Sequence, residues 1–147
     1  MSQNVMKIWC DGAYKPSLRQ GGIGVVWTKN GEIIKKYSKG YKATLERKVT
    51  NQTMEMLAVM IALSAIRVPV DELEIITDSM YVIGGASLGW KRKANIQLWI
   101  KFDEILAKAK KLVKNDIIFT HTYGHKDDVY NNLADELASD ASKEFIE

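Results

Sequence analysis

Gly22-Ile23-Gly24-Val25-Val26-Trp27-Thr28-Lys29-Asn30-Gly31-Glu32-Ile33-Ile34-Lys35-Lys36-Tyr37-Ser38-Lys39-Gly40-Tyr41 is the stretch that decides the fold. Its first half is rich in β-formers (Ile23, Val25, Val26, Trp27), and Asn30-Gly31 joins it to a second strand-like run, Glu32–Tyr41. Asn-Gly between two such runs is a strong hairpin signal, since a two-residue turn of this kind needs positive φ at its centre. Upstream, Met6–Asp11 reads as a short apolar strand ending at the turn signal Asp11-Gly12. Three leading strands joined by tight turns predict an antiparallel meander.

Downstream the period changes. In Val49–Ile66 the residues Met54, Leu57, Ala58, Ile61 and Ala65 recur at three- and four-residue spacing, a helix pattern with Pro69 as its stop. Leu73–Thr77 reads as a short buried strand, and Asp78-Ser79 opens a helix to about Ala86. Ile96–Val113 is amphipathic, with Leu98, Phe102, Ile105, Leu106, Ala109 and Val113 on one side and lysines on the other. Asp116–Tyr123 reads as a strand and Val129–Phe145 as a closing helix. The order β-β-β-α-β-α-α-β-α predicts later strands added in parallel through right-handed crossovers. The expected fold is α/β, a mixed sheet of about five strands with helices on its faces. Ligand sites in such sheets lie outside the carboxyl ends of the parallel strands. Asp11 and Asp78, each ending a strand, are therefore expected in one crevice.

Composition sets the class. At 147 residues, 46% hydrophobic and 27% charged, the chain has the size and make-up of one globular domain spanning residues 1–147. The single cysteine, Cys10, excludes an intramolecular disulfide framework and fits a reducing compartment. The longest apolar run, Met56–Leu63, is far short of the ~18 residues a membrane span needs. The first residues lack the apolar core of a signal peptide. These features predict a soluble, cytoplasmic protein without membrane association. Charge comes in blocks: +7 over residues 1–50 (10 basic, 3 acidic) and −4 over 51–90 (1 basic, 5 acidic). It is +6 over 91–114 (8 basic, 2 acidic) and −6 over 115–147 (2 basic, 8 acidic). Either these are ordinary solvated faces, or the fold gathers the basic blocks into a polyanion-binding surface and the acids into a site.

Glu55 resists a structural explanation most. Helical spacing sets it beside Ala58, Val59 and Ala62, with no cation among its helical neighbours. An ionised carboxylate taken out of water costs on the order of several kcal/mol unless paired or metal-bound; otherwise Glu55 is a rim residue reaching solvent. Asp78 precedes a helix and reads equally as an N-cap. Asp11 before Gly12 reads as a turn aspartate, and Asp135, flanked by Leu133, Ala134 and Leu137, as an exposed acid. If the four converge, like charges ~5 Å apart repel by roughly 3 kcal/mol per pair at an effective dielectric of ~20. Such a cluster persists by protonating or by holding cations. Oxygen-only ligands select hard ions, and Mg²⁺ suits a site that also takes phosphate oxygens. Two such ions ~3.5–4 Å apart can clamp an in-line phosphoryl displacement. One cysteine and two histidines cannot build a structural zinc centre. His125, in the loop Tyr123-Gly124-His125, has an ordinary pKa that allows proton transfer at neutral pH or is a plain surface histidine. His121, within the strand, reads as structural.

These residues carry a resemblance. Ile8-Trp9-Cys10-Asp11-Gly12-Ala13, Asn51-Gln52-Thr53-Met54-Glu55, Ile76-Thr77-Asp78-Ser79, Gly124-His125 and Leu133-Ala134-Asp135-Glu136-Leu137-Ala138 are similar, in order and spacing, to the successive motifs of type 1 ribonuclease H. The resemblance covers about Met6–Ser142 and implies a ribonuclease H-like mixed five-stranded sheet of order 3-2-1-4-5. It implies endonucleolytic hydrolysis of the RNA strand of an RNA–DNA hybrid, leaving 5′-phosphate and 3′-hydroxyl ends. On that resemblance Asp11 and Asp135 hold one Mg²⁺ and Asp11, Glu55 and Asp78 a second, with Mn²⁺ as a substitute, and His125 assists proton movement and product release. It assigns Asn51 and Gln52 to the hybrid's shallow groove, Gly12 to the RNA sugar and Thr50 to a DNA phosphate. Trp90, Lys91, Arg92 and Lys93 are the remaining stub of the family's basic protrusion, which is mostly missing. Lys101, Lys108, Lys110, Lys111 and Lys114, in and just after the following helix, are the candidates to substitute for it. The loop after His125 carries Lys126-Asp127-Asp128 where the familiar bacterial pattern has a second glycine-histidine pair. The expected partner is the hybrid, with no small-molecule organic cofactor, and the expected state a monomer. The alternatives are a non-catalytic nucleic-acid-binding module and another metal-dependent nuclease or strand-transfer enzyme on the same fold. A pure binder of a polyanion gains nothing from clustered acids.

Overall fold

The meander comes first along the chain and forms one half of the sheet. In a computed structural model, which describes residues 3–123 and 128–143, β1 (Val5–Lys15), β2 (Gln20–Lys29) and β3 (Glu32–Lys42) pair antiparallel in sequence order. Asn30 and Gly31 turn the β2–β3 hairpin with φ of 50° and 87°. The Asn30 side chain accepts the Val5 amide at 3.0 Å, which ties the turn to the start of β1.

The first expectation to be corrected is the end of β1. The strand does not stop at Asp11-Gly12 but runs on to Lys15, paired with β2 down to Lys15↔Gln20. A 3-10 turn at Pro16–Leu18, closed by Arg19 at φ 53°, reverses the chain instead. Gly12 is there for space: a Cβ on it would lie 2.5 Å from the Glu55 amide nitrogen and 2.6 Å from the Met54 carbonyl carbon.

α1 (Asn51–Ser64) packs on β1 and β2, and β4 (Glu72–Thr77) then joins β1 in parallel, from Val5↔Glu72 to Cys10↔Thr77. α2 (Met80–Ser87), α3 (Ile96–Lys110), β5 (Ile118–His121) and α4 (Val129–Ala141) complete the order, and the sheet reads β3-β2-β1-β4-β5. The five-stranded mixed sheet is the expected one. Several bounds differ. α3 ends at Lys110, and Val113 instead bridges Val70. β5 keeps only four residues. α4 is described to Ala141, and Phe145 lies outside the described residues.

Two cores flank the sheet. The larger joins Ile8, Val25 and Ile75 to Met54, Ala58 and Leu63 of α1 and Phe102 and Leu106 of α3. The smaller sets Trp9, Val26 and Ile76 against Ala134 of α4. α4 comes in very close because β2 meets it with glycines at positions 22 and 24: a Cβ on Gly24 would lie 2.2 Å from the Ala134 carbonyl oxygen. β2 is consequently buried from Gln20 to Thr28.

Candidate active site

The parallel ladder between β1 and β4 ends at Cys10↔Thr77, so Asp11 and Asp78 are the first residues beyond it on neighbouring strands. The crevice rule thus places them correctly, although β1 itself continues along β2. Asp11 is only 6% exposed, and one of its oxygens accepts the Gly12 amide at 3.0 Å. Glu55 reaches the pair from α1, because Gly12 lets the helix backbone settle onto β1. Carboxylate oxygens of Asp11, Glu55 and Asp78 all lie within 4.8 Å of one another. Asp135 arrives from the opposite face on α4 and turns its carboxyl group to Asp11, beside the three acids whose oxygens share the 4.8 Å limit. The four acids predicted from the sequence converge.

Electrostatics follow from this crowding. Burial, reinforced by the hydrogen bond to Asp135 and the charges of Asp78, Asp135 and Glu55, pushes Asp11 up to about 9. Glu55 is pushed up to about 7, first by burial, with a hydrogen bond from Ser79 pulling the other way and the charge of Asp78 adding to the rise. Asp78 is raised by burial and by Asp135, opposed by a backbone hydrogen bond and His121. The ion pairs among the described residues are Lys7–Glu74 and Arg92–Asp103, so no lysine or arginine pairs with the cluster there, and His121 is the basic side chain beside Asp78.

Two residues beside the acids matter that the sequence reading did not place in the site, Ser79 and the strand histidine His121, read there as structural. Ser79, not Asp78, caps α2: its hydroxyl oxygen accepts the Val82 amide at 3.1 Å. Asp78 is therefore not consumed as a cap, and Ser79 also holds Glu55. The signal was present, since Asp78-Ser79 offers two capping residues in succession and only one can serve. His121 sets a ring nitrogen 3.2 Å from the Asp78 carbonyl oxygen and packs edge-on against Tyr123 at 4.5 Å. It braces the strand end beside the acids.

The remaining predicted residues are spread around this centre. Asn51 and Gln52 are exposed on the first turn of α1, one turn before Glu55. Thr50 caps that helix, exchanging hydrogen bonds with Thr53 at 2.9 and 3.1 Å. Trp90, Lys91 and Lys93 are exposed on the α2–α3 connection. Arg92 is already engaged: it grips Asp103 at 2.6 and 2.8 Å, donates to the Gly85 carbonyl at 2.9 Å and lies 4.3 Å over Trp99. Of the α3 lysines Lys101 lines a cleft of about 590 Å³ with Arg47, Lys48 and Tyr41, while Lys108 and Lys110 sit in the last turn. Basic residues there favour the helix C-terminus. His125 lies outside the described residues.

Comparisons with known proteins agree with this geometry. The family model for RNase H matches residues 3–143. Ribonuclease H of Pseudoalteromonas translucida is 34% identical, with 99% of this chain and 96% of that protein aligned. Ribonuclease H of Clostridium botulinum is 32% identical over 94% of this chain and 95% of its own length. Among solved structures, LC11-RNase H1 in complex with an RNA/DNA hybrid superposes with a TM-score of 0.72 at 25% identity, covering 94% of this chain and 96% of that one.

Proposed function

The chain belongs to the ribonuclease H family, and from that premise we propose that it is an endoribonuclease that hydrolyses the RNA strand of RNA–DNA hybrids. One observation carries the reading: four carboxylates brought from both faces of the sheet to the end of its parallel ladder, with no lysine or arginine paired to them among the described residues. Burial and the neighbouring carboxylates raise Asp11, a crowding that a bound cation would relieve. The donor set is all oxygen, which fits Mg²⁺ and admits Mn²⁺.

On this reading Asp11 and Asp135 would hold one ion, and Asp11, Glu55 and Asp78 would hold a second. Ions bound there would supply an activated water and charge stabilisation for the leaving 3′-oxygen. The water oxygen bonds to phosphorus, the bond to the 3′-oxygen breaks, and the products end in 5′-phosphate and 3′-hydroxyl. Ser79 keeps Glu55 aimed at the centre. His125 moves a proton at the departing group. Asn51 and Gln52 present amides at the groove, where contacts near ribose 2′-hydroxyls distinguish RNA from DNA. The half-buried Gly12 admits the RNA sugar, while Thr50, Trp90, Lys91 and Lys93 meet the DNA backbone. Arg92 contributes by stiffening that connection through Asp103. Residues 1–147 act as a single catalytic unit, a cytoplasmic monomer without organic cofactor.

The test is one incubation of labelled hybrid, duplex DNA and duplex RNA, each with Mg²⁺ and with EDTA. Only the RNA of the hybrid is expected to be cut, only with metal, and the products should carry 5′-phosphates. Cleavage that survives EDTA, or an intact hybrid with Mg²⁺ and with Mn²⁺, overturns the reading.

A further inference from the structure

We propose that Lys35 and Lys39, on the open edge of the sheet, form a cation track for the hybrid's backbone outside the catalytic crevice, continuous with Arg47, Lys48 and Lys101 of the cleft. The inference rests on the hybrid reading above. Among the described residues β3 pairs with β2 alone, which leaves it at the sheet's edge. Side chains along it alternate between faces. Residues 35, 37, 39 and 41 share the α1 face, as Tyr41 joins the larger core and Trp27, opposite Lys35 in register, donates its indole hydrogen to Ala62 of α1. Residues 36, 38, 40 and 42 share the other, where Ser38 donates to the Leu137 carbonyl of α4.

The odd-numbered lysines are held. The Lys35 ammonium lies 5.0 Å over the Trp27 ring, and the Lys39 ammonium 5.2 Å over Tyr41, whose ring Arg47 also approaches at 5.4 Å. Tyr41 in turn lines the cleft with Arg47, Lys48 and Lys101. Among the described residues none of these five cations has a carboxylate partner. The row thus carries five cations against one lining carboxylate, Glu46, and leads away from the cleft. From Lys35 to Lys39 the strand advances ~13 Å, the length of about four phosphates of one strand.

Edge lysines also serve to block strand-to-strand association, and any solvated lysine does that. Lys36 and Lys42, on the α4 face, are that kind and serve as the internal control. What sets Lys35 and Lys39 apart is their seating on rings, which limits their freedom, on the same face as the cleft.

Binding of a ~20-bp hybrid in EDTA, measured over 0.05–0.3 M salt, separates the two roles without relying on cleavage. The double variant Lys35→Gln/Lys39→Gln is expected to bind ~10-fold or more weakly at 0.1 M salt, with a log–log salt slope shallower by about 1.8. Lys36→Gln/Lys42→Gln is expected to match the parent, and kcat at saturating hybrid should be unchanged in both. Equal losses in the two pairs, or none in the first, overturn the track. A parent protein that binds hybrid but cuts nothing would sink the catalytic reading while the track is still decided by the binding data.

Discussion

Asp11 is where charge and burial collide. Its folded value of about 9 and the value of about 7 for Glu55 both lie above the ordinary carboxylate range. Raised acids add stability in full below their ordinary values and lose it as pH climbs through the folded ones. The metal-free protein should therefore soften from about pH 5 to pH 9, and Mg²⁺ should reverse the loss by supplying the missing charge. Asp11→Asn removes the conflict: in EDTA at pH 8 its Tm should rise by on the order of 5 °C, while hybrid cleavage disappears. Thermal melts across pH, with and without Mg²⁺, check this. A Tm that rises with pH in EDTA, or an Asp11→Asn variant that still turns over, would contradict it.

At the scale of elements, the site depends on two close dockings. α1 settles on Gly12 and brings Glu55; α4 settles on Gly24 and brings Asp135. Gly24→Ala forces a methyl toward the Ala134 carbonyl, so α4 must move outward. Overpacking of this kind costs about 1–3 kcal/mol, and we expect a Tm lower by ~3–10 °C with kcat reduced at least ~10-fold. A folded Gly24→Ala protein with parental kcat would show that the depth of α4 does not position Asp135. The same dockings explain what the sequence could and could not disclose. The hairpin was readable because Asn30-Gly31 has one common structural use. Asp11-Gly12 was misread as a turn, since a glycine needed for an approaching helix looks the same as one needed for a bend. The α1 stripe was only partly right: Met54 and Ala58 are buried as assigned, but so are Met56, Met60 and Leu63. A helix covered on several sides by sheet and α3 carries little amphipathic signal. Ser79 was passed over because its neighbour Asp78 is an equally good cap in isolation. The engagement of Arg92 by Asp103 could not be read at all, as it depends on how α2 and α3 cross.

Over the whole molecule, blocks of charge scattered along the chain are sorted by topology. Arg47 and Lys48 from the first basic block meet Lys101 from the second at one cleft, while acids from four segments meet at the strand ends. Because Glu55 and Asp135 come from opposite layers, the site exists only while both layers are docked. Activity and far-ultraviolet circular dichroism should consequently be lost at the same urea concentration. Activity failing at distinctly lower urea would mean that α4 detaches on its own.

Cys10 draws one last consequence from this arrangement. The chain's lone thiol is 2% exposed at the centre of the sheet, next to Asp11, with its ionisation held far above the usual thiol range by burial and by that neighbour. Alkylating reagents act on accessible thiolates, so intact molecules should pass through such treatment unmarked. The pace of labelling then becomes a clock for how often the central strand is laid bare, a tag placed by nature beside the catalytic acids and needing no engineered probe.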